Sequence, residues 1–207
     1  IGIPEEWTRK VLKAINDWDN RYDRFYLLTK QPQNLIKWSP FPPNCWVGVT
    51  ATDSYMFSNA MFYLRQIEAS VKYLSLEPLM EGILPRYIGG IEGINWVIIG
   101  AMTCSGGDLA KSSSQFSELT PKPFGNRYVM LPKIEWVEEI VRAADKAGIP
   151  VFLKNNLKPL LQQNKYNIYS FPEWAGTQFA STGDCSLAPV NPHPNEAMRK
   201  LTQEMPE

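Results

Sequence analysis

The sequence predicts an α/β fold with a parallel sheet, and two observations lead to that prediction. Five short apolar runs alternate with helix-like segments along the 207 residues. Near-continuous apolar strands separated by helices are typical of a parallel sheet that is covered on both faces. Functional-looking residues also recur where the apolar runs end, and a barrel builds its site at the carboxyl ends of its strands. We therefore expect a partial (β/α) barrel of five or more β/α units.

A helix is predicted at the start of the chain. Pro4 is followed by two glutamates, and proline suits the first helical turn while acidic side chains oppose the helix dipole there. Four apolar residues then recur at helical spacing and are expected to face the core: Trp7, Val11, Ile15 and Trp18. The first run of strand formers, residues 25–28, ends in Thr29 and Lys30.

The later units repeat this pattern. A short helix is predicted near residues 34–38, Asp53 is a candidate helix cap, and a helix over residues 134–144 stops at Gly148. The remaining strands, each with the residues that end it, are residues 45–49 with Thr50, Val71–Leu76 with Glu77 and Pro78, Trp96–Ile99 with Gly100, and Val151–Leu153 with Lys154 and Asn155.

An open doubly wound sheet is the alternative architecture. Nucleotide-binding sheets of that kind usually carry a glycine-rich turn after the first strand, and neither G-x-G-x-x-G nor G-x-x-x-x-G-K-[ST] occurs here. We therefore favour a barrel domain over residues 1–160 and an irregular extension over 161–207. Residues 101–132 are predicted to form an extended loop or lid over the carboxyl-end face, and a short polar helix is predicted near residues 195–204.

Composition limits the classes of function. Lys plus Arg equals Asp plus Glu, at 21 each, so charge does not support a nucleic-acid partner, and no run reaches the roughly 18 apolar residues of a membrane span. A cytoplasmic protein is expected. Most tryptophans should be core residues, namely Trp7, Trp18, Trp46, Trp96 and Trp136. The lone histidine, His193, is expected in a solvated loop.

Cysteine spacing and the first residue are also informative. Cys45, Cys104 and Cys185 are too far apart for a C-x-x-C metal site and are expected to be small buried residues. The chain begins at Ile1 rather than at methionine. A segment before Ile1 is therefore expected.

Charged and hydroxyl side chains at the strand ends form the candidate site: Thr29, Lys30, Thr50, Thr52, Ser75, Glu77, Lys154 and Asn155. The functional interpretation is that two ammonium groups and one carboxylate bind a charged substrate or the amino-acid end of a cofactor. A structural alternative is that Glu77 pairs with Lys30 or Lys154 and only closes the barrel top. A further alternative is a Schiff-base lysine at Lys154 or Lys30.

Six motifs in a fixed order carry a family resemblance: PEEW, FYLLTKQPQNL, CWVGVTATD, YLSLEPLMEGI, INWVIIGAMT and AGIPVFLKN. Together they resemble a phage-associated family of uncharacterised proteins with a radical S-adenosylmethionine-like barrel. The resemblance covers about residues 3–157. Gln31 replaces a more usual arginine, and residues 101–104 replace a Gly-Glu-Ser-Gly that many members carry after this strand.

The resemblance implies S-adenosylmethionine and a 4Fe-4S cluster as cofactors. It places the cluster cysteines in a segment before the first helix of this chain, so the chain as given is not expected to cleave S-adenosylmethionine. By analogy, strand-end polar groups hold the ribose and methionine parts and the turn at Gly100 admits the adenine. Glu77, Lys154 and Lys30 are the catalytic candidates.

Three functional hypotheses follow. The leading one is the carboxyl-terminal part of a radical S-adenosylmethionine-like enzyme of unknown substrate. The second is a Schiff-base lyase or aldolase that uses Lys154 or Lys30. The third is a non-catalytic binding module of phage or mobile-element origin, which predicts binding without turnover.

Overall fold

A computed structural model describes residues 3–18, 23–161, 176–179, 198–201 and 203–206. The strands are β1 Phe25–Thr29, β2 Cys45–Thr50, β3 Val71–Leu76, β4 Trp96–Ile99, β5 Met102–Cys104, β6 Thr120–Phe124, β7 Arg127–Leu131, β8 Val151–Leu153, β9 Gly176–Phe179 and β10 Met198–Leu201. The α-helices are α1 Glu5–Asn16, α2 Ser54–Leu64, α3 Pro85–Ile88, α4 Leu109–Gln115, α5 Ile134–Lys146 and α6 Lys158–Leu161. Single 3-10 turns cover Pro32–Asn34, Ile36–Trp38 and Asn155–Leu157.

Five parallel strands form the main sheet, in the order β1-β2-β3-β4-β8. These are the five strands that the apolar runs predict, so the α/β class and the parallel sheet are confirmed. Each strand lies beside the next one in chain order, without a reversal. No helix among the described residues is long and apolar enough to cross a membrane.

One face of the sheet packs against helices. The register aligns a row of buried aliphatic side chains across four strands: Val49, Leu74, Val97 and Val151. Phe57 and Leu64 of α2 and Ile140 of α5 belong to the same core. Burying each large aliphatic side chain stabilises the fold by about 1.5–3 kcal/mol, so this face carries most of the hydrophobic free energy. Asp53 starts α2 as predicted, because its carboxylate accepts the Met56 N–H at 2.7 Å.

The opposite face carries an aromatic layer near the amino ends of the strands, formed by Tyr26, Trp46, Tyr73, Trp96 and Phe152. Trp96 is central, with its ring centroid 5.8 Å from that of Trp46 and 5.6 Å from that of Tyr73. Gly48 makes room for this layer, since a Cβ there would overlap the Tyr73 ring. The prediction that Trp46 and Trp96 are core residues is confirmed.

The helix predicted at the start of the chain is confirmed as α1, but the prediction that Trp7, Val11, Ile15 and Trp18 face the core is largely wrong. Ile15 is buried, but Trp7, Val11 and Trp18 are 57%, 53% and 53% exposed. The helix reaches the core mainly through Leu12 and Ile15. An open apolar cleft of about 200 Å³ lies between the helix, β1 and the 3-10 turns, and Val11 and Leu12 line it. Helical periodicity identified the apolar stripe, but the stripe is wider than the surface available to cover it.

The prediction of an extended loop over residues 101–132 is also wrong. This segment folds as an antiparallel sheet in the order β5-β7-β6, together with α4. Cys104, Leu119 and Met130 form its own small core, against which Met80 and Trp136 pack. The strands are only three to five residues long and two prolines interrupt β6, which hides the alternation that normally reveals a strand.

The carboxyl-terminal residues differ from prediction as well. Met198–Leu201 pairs antiparallel with Gly176–Phe179, so the helix predicted near residues 195–204 is wrong over those four residues. Pairing between two distant segments satisfies the backbone there, and no local pattern shows such pairing. Trp174, Cys185 and His193 lie outside the described residues.

Replacing Gly48 with alanine is expected to lower the free energy of unfolding by about 1–3 kcal/mol, because the new methyl group forces the Tyr73 ring out of the aromatic layer. Urea denaturation measures the change. The matched control is Gly107→Ala, where the nearest atom to a new Cβ is the Ser105 hydroxyl at 3.8 Å. Equal stabilities of the two variants would contradict the close packing of Tyr73 on Gly48.

Tyr73 provides a pH-dependent test of the aromatic layer. Burial, with a smaller contribution from Tyr26, raises the pKa of Tyr73 to about 12, whereas an unfolded tyrosine titrates near 10. Between about pH 10 and 12 the unfolded chain therefore binds fewer protons than the folded chain, and the free energy of unfolding falls as pH rises. Phenolate absorbance should show a late-titrating tyrosine that Tyr73→Phe removes, together with part of the alkaline loss of stability.

Candidate functional site

The polar side chains at the carboxyl ends of the strands share a face with the aromatic layer. Thr50 and Ser75 are direct register partners. The backbone hydrogen bonds between neighbouring strands continue past the strand ends. Gly100 N–H donates to the Leu76 carbonyl at 3.1 Å, and Lys154 N–H donates to the Ile99 carbonyl at 2.9 Å. Alternation along each strand then places five residues together, which we call the mouth: Thr50, Ser75, Glu77, Gly100 and Lys154.

An ion pair joins the two charged residues of the mouth. Lys154 Nζ lies 2.5 Å from Glu77 Oε1, and both side chains are partly buried. The structural prediction that Glu77 pairs with Lys154 is thus confirmed, and the alternative partner Lys30 is not used. A partly buried ion pair is screened less than a surface pair, so it holds both side chains in place more firmly.

Gly100 allows Glu77 to reach Lys154. A Cβ at Gly100 would lie 3.1 Å from Cγ and 3.2 Å from Cδ of Glu77, which is closer than ordinary contact. The carboxylate therefore lies directly over the backbone that follows β4. Glycine at this position is explained by the close approach of a side chain and requires no unusual backbone angle.

Two hydroxyl groups lie one step deeper in the mouth. Thr50 is 4% exposed and Ser75 is 3% exposed. Neither hydroxyl donates a hydrogen bond to any residue that the structure describes. A hydroxyl group can donate and accept hydrogen bonds, so these groups are suited to bind a polar atom of a ligand.

Asn156 supports the mouth, and it was missed by the sequence analysis. Its amide nitrogen donates to the Ala101 carbonyl at 2.8 Å, and its oxygen accepts the Ala101 N–H at 3.1 Å. This two-way contact ties the chain after Gly100 to the chain after Lys154. The sequence predicted the neighbouring Asn155 instead, which is exposed on the 3-10 turn. Nothing in an Asn-Asn pair tells which amide faces inward.

Three other predicted site residues lie outside the mouth. The Thr29 hydroxyl accepts the Gln31 N–H at 3.0 Å and shapes the turn after β1. The Thr52 hydroxyl donates to the sulfur of Met56 at 3.2 Å, at the start of α2. Lys30 is exposed at the edge strand β1 and forms no ion pair with another described residue. Register and the Glu77–Lys154 contact thus bring together five of the nine predicted positions, and no hydrogen bond or ion pair among the described residues joins the side chains of the other four to them.

The described cysteines do not fit a 4Fe-4S cluster, which needs several thiolates close together. Cys45 packs in the helix-facing core, and Cys104 packs in the small core of the antiparallel sheet. Burial raises the pKa of Cys45, which disfavours the thiolate. Among the described residues, no group of three or more His, Cys, Asp or Glu side chains is placed to hold a metal ion.

Together, the fold and the mouth define an α/β protein whose candidate site lies at the carboxyl ends of a parallel sheet. Residues 2–115 match the family called protein of unknown function (DUF5131), and the chain belongs to that family. The matched range includes four of the five mouth residues and ends before Lys154. No curated protein and no solved structure matches the chain.

Replacing Gly100 with alanine is expected to separate Glu77 from Lys154, because the new methyl group occupies the space under the carboxylate. A double-mutant cycle of Glu77→Gln and Lys154→Met measures the coupling between the two side chains. We expect about 1 kcal/mol of coupling in the wild-type background and close to zero in the Gly100→Ala background. Gly106→Ala is the control background, and it should retain the coupling because only Tyr128 lies near it, at 3.6 Å.

Proposed function

We propose that the chain is the carboxyl-terminal part of a radical S-adenosylmethionine-like enzyme and that its mouth binds S-adenosylmethionine. The observation that carries the proposal is the Glu77–Lys154 ion pair, which lies over Gly100 at the carboxyl ends of three parallel strands. The family resemblance supplies the identity of the cofactor. The substrate of the reaction is left open.

We further propose that the five parallel strands are consecutive strands of a partial (β/α) barrel. A doubly wound sheet reverses its strand order at a switch point, whereas these strands keep the chain order from β1 to β8. In a barrel, large side chains fill the interior and the site lies at the carboxyl ends. On one face of this sheet, the aromatic layer corresponds to the filled interior of a barrel, and the mouth corresponds to its site.

The mouth matches the polar groups of S-adenosylmethionine. The Lys154 ammonium and the hydroxyls of Thr50 and Ser75 are donors for a carboxylate. The Glu77 carboxylate is an acceptor for an ammonium group or for ribose hydroxyls. One positive and one negative side chain suit a ligand that carries both charges, and they disfavour a phosphate dianion because Glu77 would repel it.

The 4Fe-4S cluster is not assigned to this part of the chain. Neither Cys45 nor Cys104 fits it, and the resemblance implies that the cluster cysteines belong to a segment ahead of the first helix. Reductive cleavage of the cofactor belongs to that cluster. The residues described here bind and orient the cofactor and keep water from its inner side.

The Schiff-base hypothesis remains a prediction with its own test. The Lys154 nitrogen contacts the Glu77 carboxylate, whereas a Schiff-base nucleophile needs a free electron pair. Borohydride trapping with a keto substrate distinguishes the hypotheses. A wild-type adduct that Lys154→Met and Lys30→Met both retain would remove these lysines from contention.

S-adenosylmethionine is expected to bind this chain, and both Glu77→Gln and Lys154→Met are expected to weaken binding at least tenfold. Each variant removes one partner of a charge-assisted contact, which is typically worth more than 1.4 kcal/mol. Isothermal titration calorimetry measures the dissociation constants. Lys122→Met, on the exposed strand β6, is the matched control and should bind like wild type. Equal binding by all four proteins, or none by wild type, contradicts the proposal.

The full-length protein tests the chemistry. After anaerobic reconstitution with iron and sulfide, it is expected to become coloured and to form 5′-deoxyadenosine under reducing conditions. A colourless full-length protein, or one that binds a cluster without forming 5′-deoxyadenosine, would rule out the radical mechanism and leave the mouth as a simple binding site.

A further inference from the structure

The two residues that follow β4 are bound from both sides through their backbone groups. Gly100 N–H donates to the Leu76 carbonyl at 3.1 Å, and the Gly100 carbonyl accepts the Leu79 N–H at 3.0 Å. Both groups of Gly100 therefore bind β3 and the chain just after it. Ala101 is bound from the β8 side, because its N–H and its carbonyl both contact the Asn156 side chain, at 3.1 Å and 2.8 Å.

Asn156 replaces a strand partner that β8 no longer supplies at this point. The backbone hydrogen bonds between β4 and β8 reach Lys154, whose N–H donates to the Ile99 carbonyl, and the chain then turns into the 3-10 helix Asn155–Leu157. Ala101 is only 2% exposed, and buried backbone groups without a partner are costly. A primary amide has both a donor and an acceptor, so one side chain satisfies both groups.

The same two residues support one end of the Glu77–Lys154 ion pair. A Cβ at Gly100 would lie 3.1 Å from Cγ of Glu77, so the Glu77 side chain lies directly on this backbone. Lys154 comes two residues before Asn156 and provides the other end of the pair. The contact between Asn156 and Ala101 therefore sets the distance between the backbone under the carboxylate and the backbone that carries the ammonium group.

We propose that Asn156 is a positioning residue of the mouth, which holds Glu77 and Lys154 at pairing distance and thereby sets the affinity of the mouth for its ligand. The two side chains are 29% and 40% exposed, and an ion pair of that kind contributes little unless its geometry is held, since ordering two long side chains costs entropy. The effect on the ion pair stands by itself. The effect on affinity rests on the proposed binding of S-adenosylmethionine.

Asn156→Ala removes both contacts with Ala101 and is the first test. A double-mutant cycle of Glu77→Gln and Lys154→Met, measured by urea unfolding, should give a coupling of about fivefold in the unfolding equilibrium constant of the wild type. In the Asn156→Ala background, the coupling should fall below about twofold. Asn155→Ala, at the exposed neighbouring position, is the matched control and should retain the coupling.

A second control separates positioning from a general loss of stability. Ile140→Val lowers stability in the helix-facing core and should also retain the coupling. If Asn156→Ala does not fold, Asn156→Asp is compared with Asn155→Asp. Both variants add one negative charge, but only Asn156→Asp loses the donor to the Ala101 carbonyl, so only that variant should lose most of the coupling. Coupling that persists without the Asn156 amide, or that is absent from the wild type, overturns the proposal.

Binding of S-adenosylmethionine tests the consequence for the ligand. By isothermal titration calorimetry, the dissociation constant of Asn156→Ala should rise at least about fivefold, and those of Asn155→Ala and Ile140→Val should stay within about twofold of wild type. Equal affinities of wild type and Asn156→Ala overturn the positioning role and leave the proposed function standing. If the wild type does not bind, the proposed function fails, and the ligand-free cycle still decides the role of Asn156.

Discussion

Two glycines on one face of the sheet allow the side chains of Tyr73 in β3 and Glu77 just after it to lie over the neighbouring backbone, and the rest of that face depends on this arrangement. Gly48 of β2 lies under the Tyr73 ring, and Gly100 after β4 lies under the Glu77 carboxylate. Both side chains lie on the same face of the sheet. Tyr73 contacts β2 near the amino ends of the strands, and Glu77 contacts the backbone after β4 near their carboxyl ends. A Cβ at either glycine would push the crossing side chain away and open the layer below or the mouth above.

The crossing side chains divide this face into two environments. Near the amino ends of the strands, aromatic rings exclude water, and burial there raises the pKa of Tyr73 to about 12. Near the carboxyl ends, the Glu77–Lys154 pair remains partly exposed. Along the strands, the hydroxyls of Thr50 and Ser75 lie between these charges and the aromatic layer. A polar site above an apolar floor strengthens electrostatic contacts, because the floor lowers the local dielectric constant.

Sequence reasoning succeeded where local pattern and tertiary position follow from the same physics. The five apolar runs became the five parallel strands, and in β2, β3 and β4 the runs are nearly continuous because both faces of these strands are buried. Thr50, Ser75 and Glu77 share one face because alternation along a strand has a period of two. The prediction that the apolar stripe of α1 faces the core was wrong for the opposite reason. Periodicity shows which residues of a helix are apolar, but whether Trp7 is covered depends on the neighbouring surface.

The sequence by itself determined the strand positions and the chemical character of the residues that end them, because both depend on runs of a few neighbouring residues. Only the tertiary structure decided that Glu77 pairs with Lys154 rather than Lys30, that Asn156 rather than Asn155 supports the mouth, and that residues near 204 cover β8. These contacts join residues 50 or more positions apart. Their geometry is set by register and by the packing of layers, which local sequence does not encode.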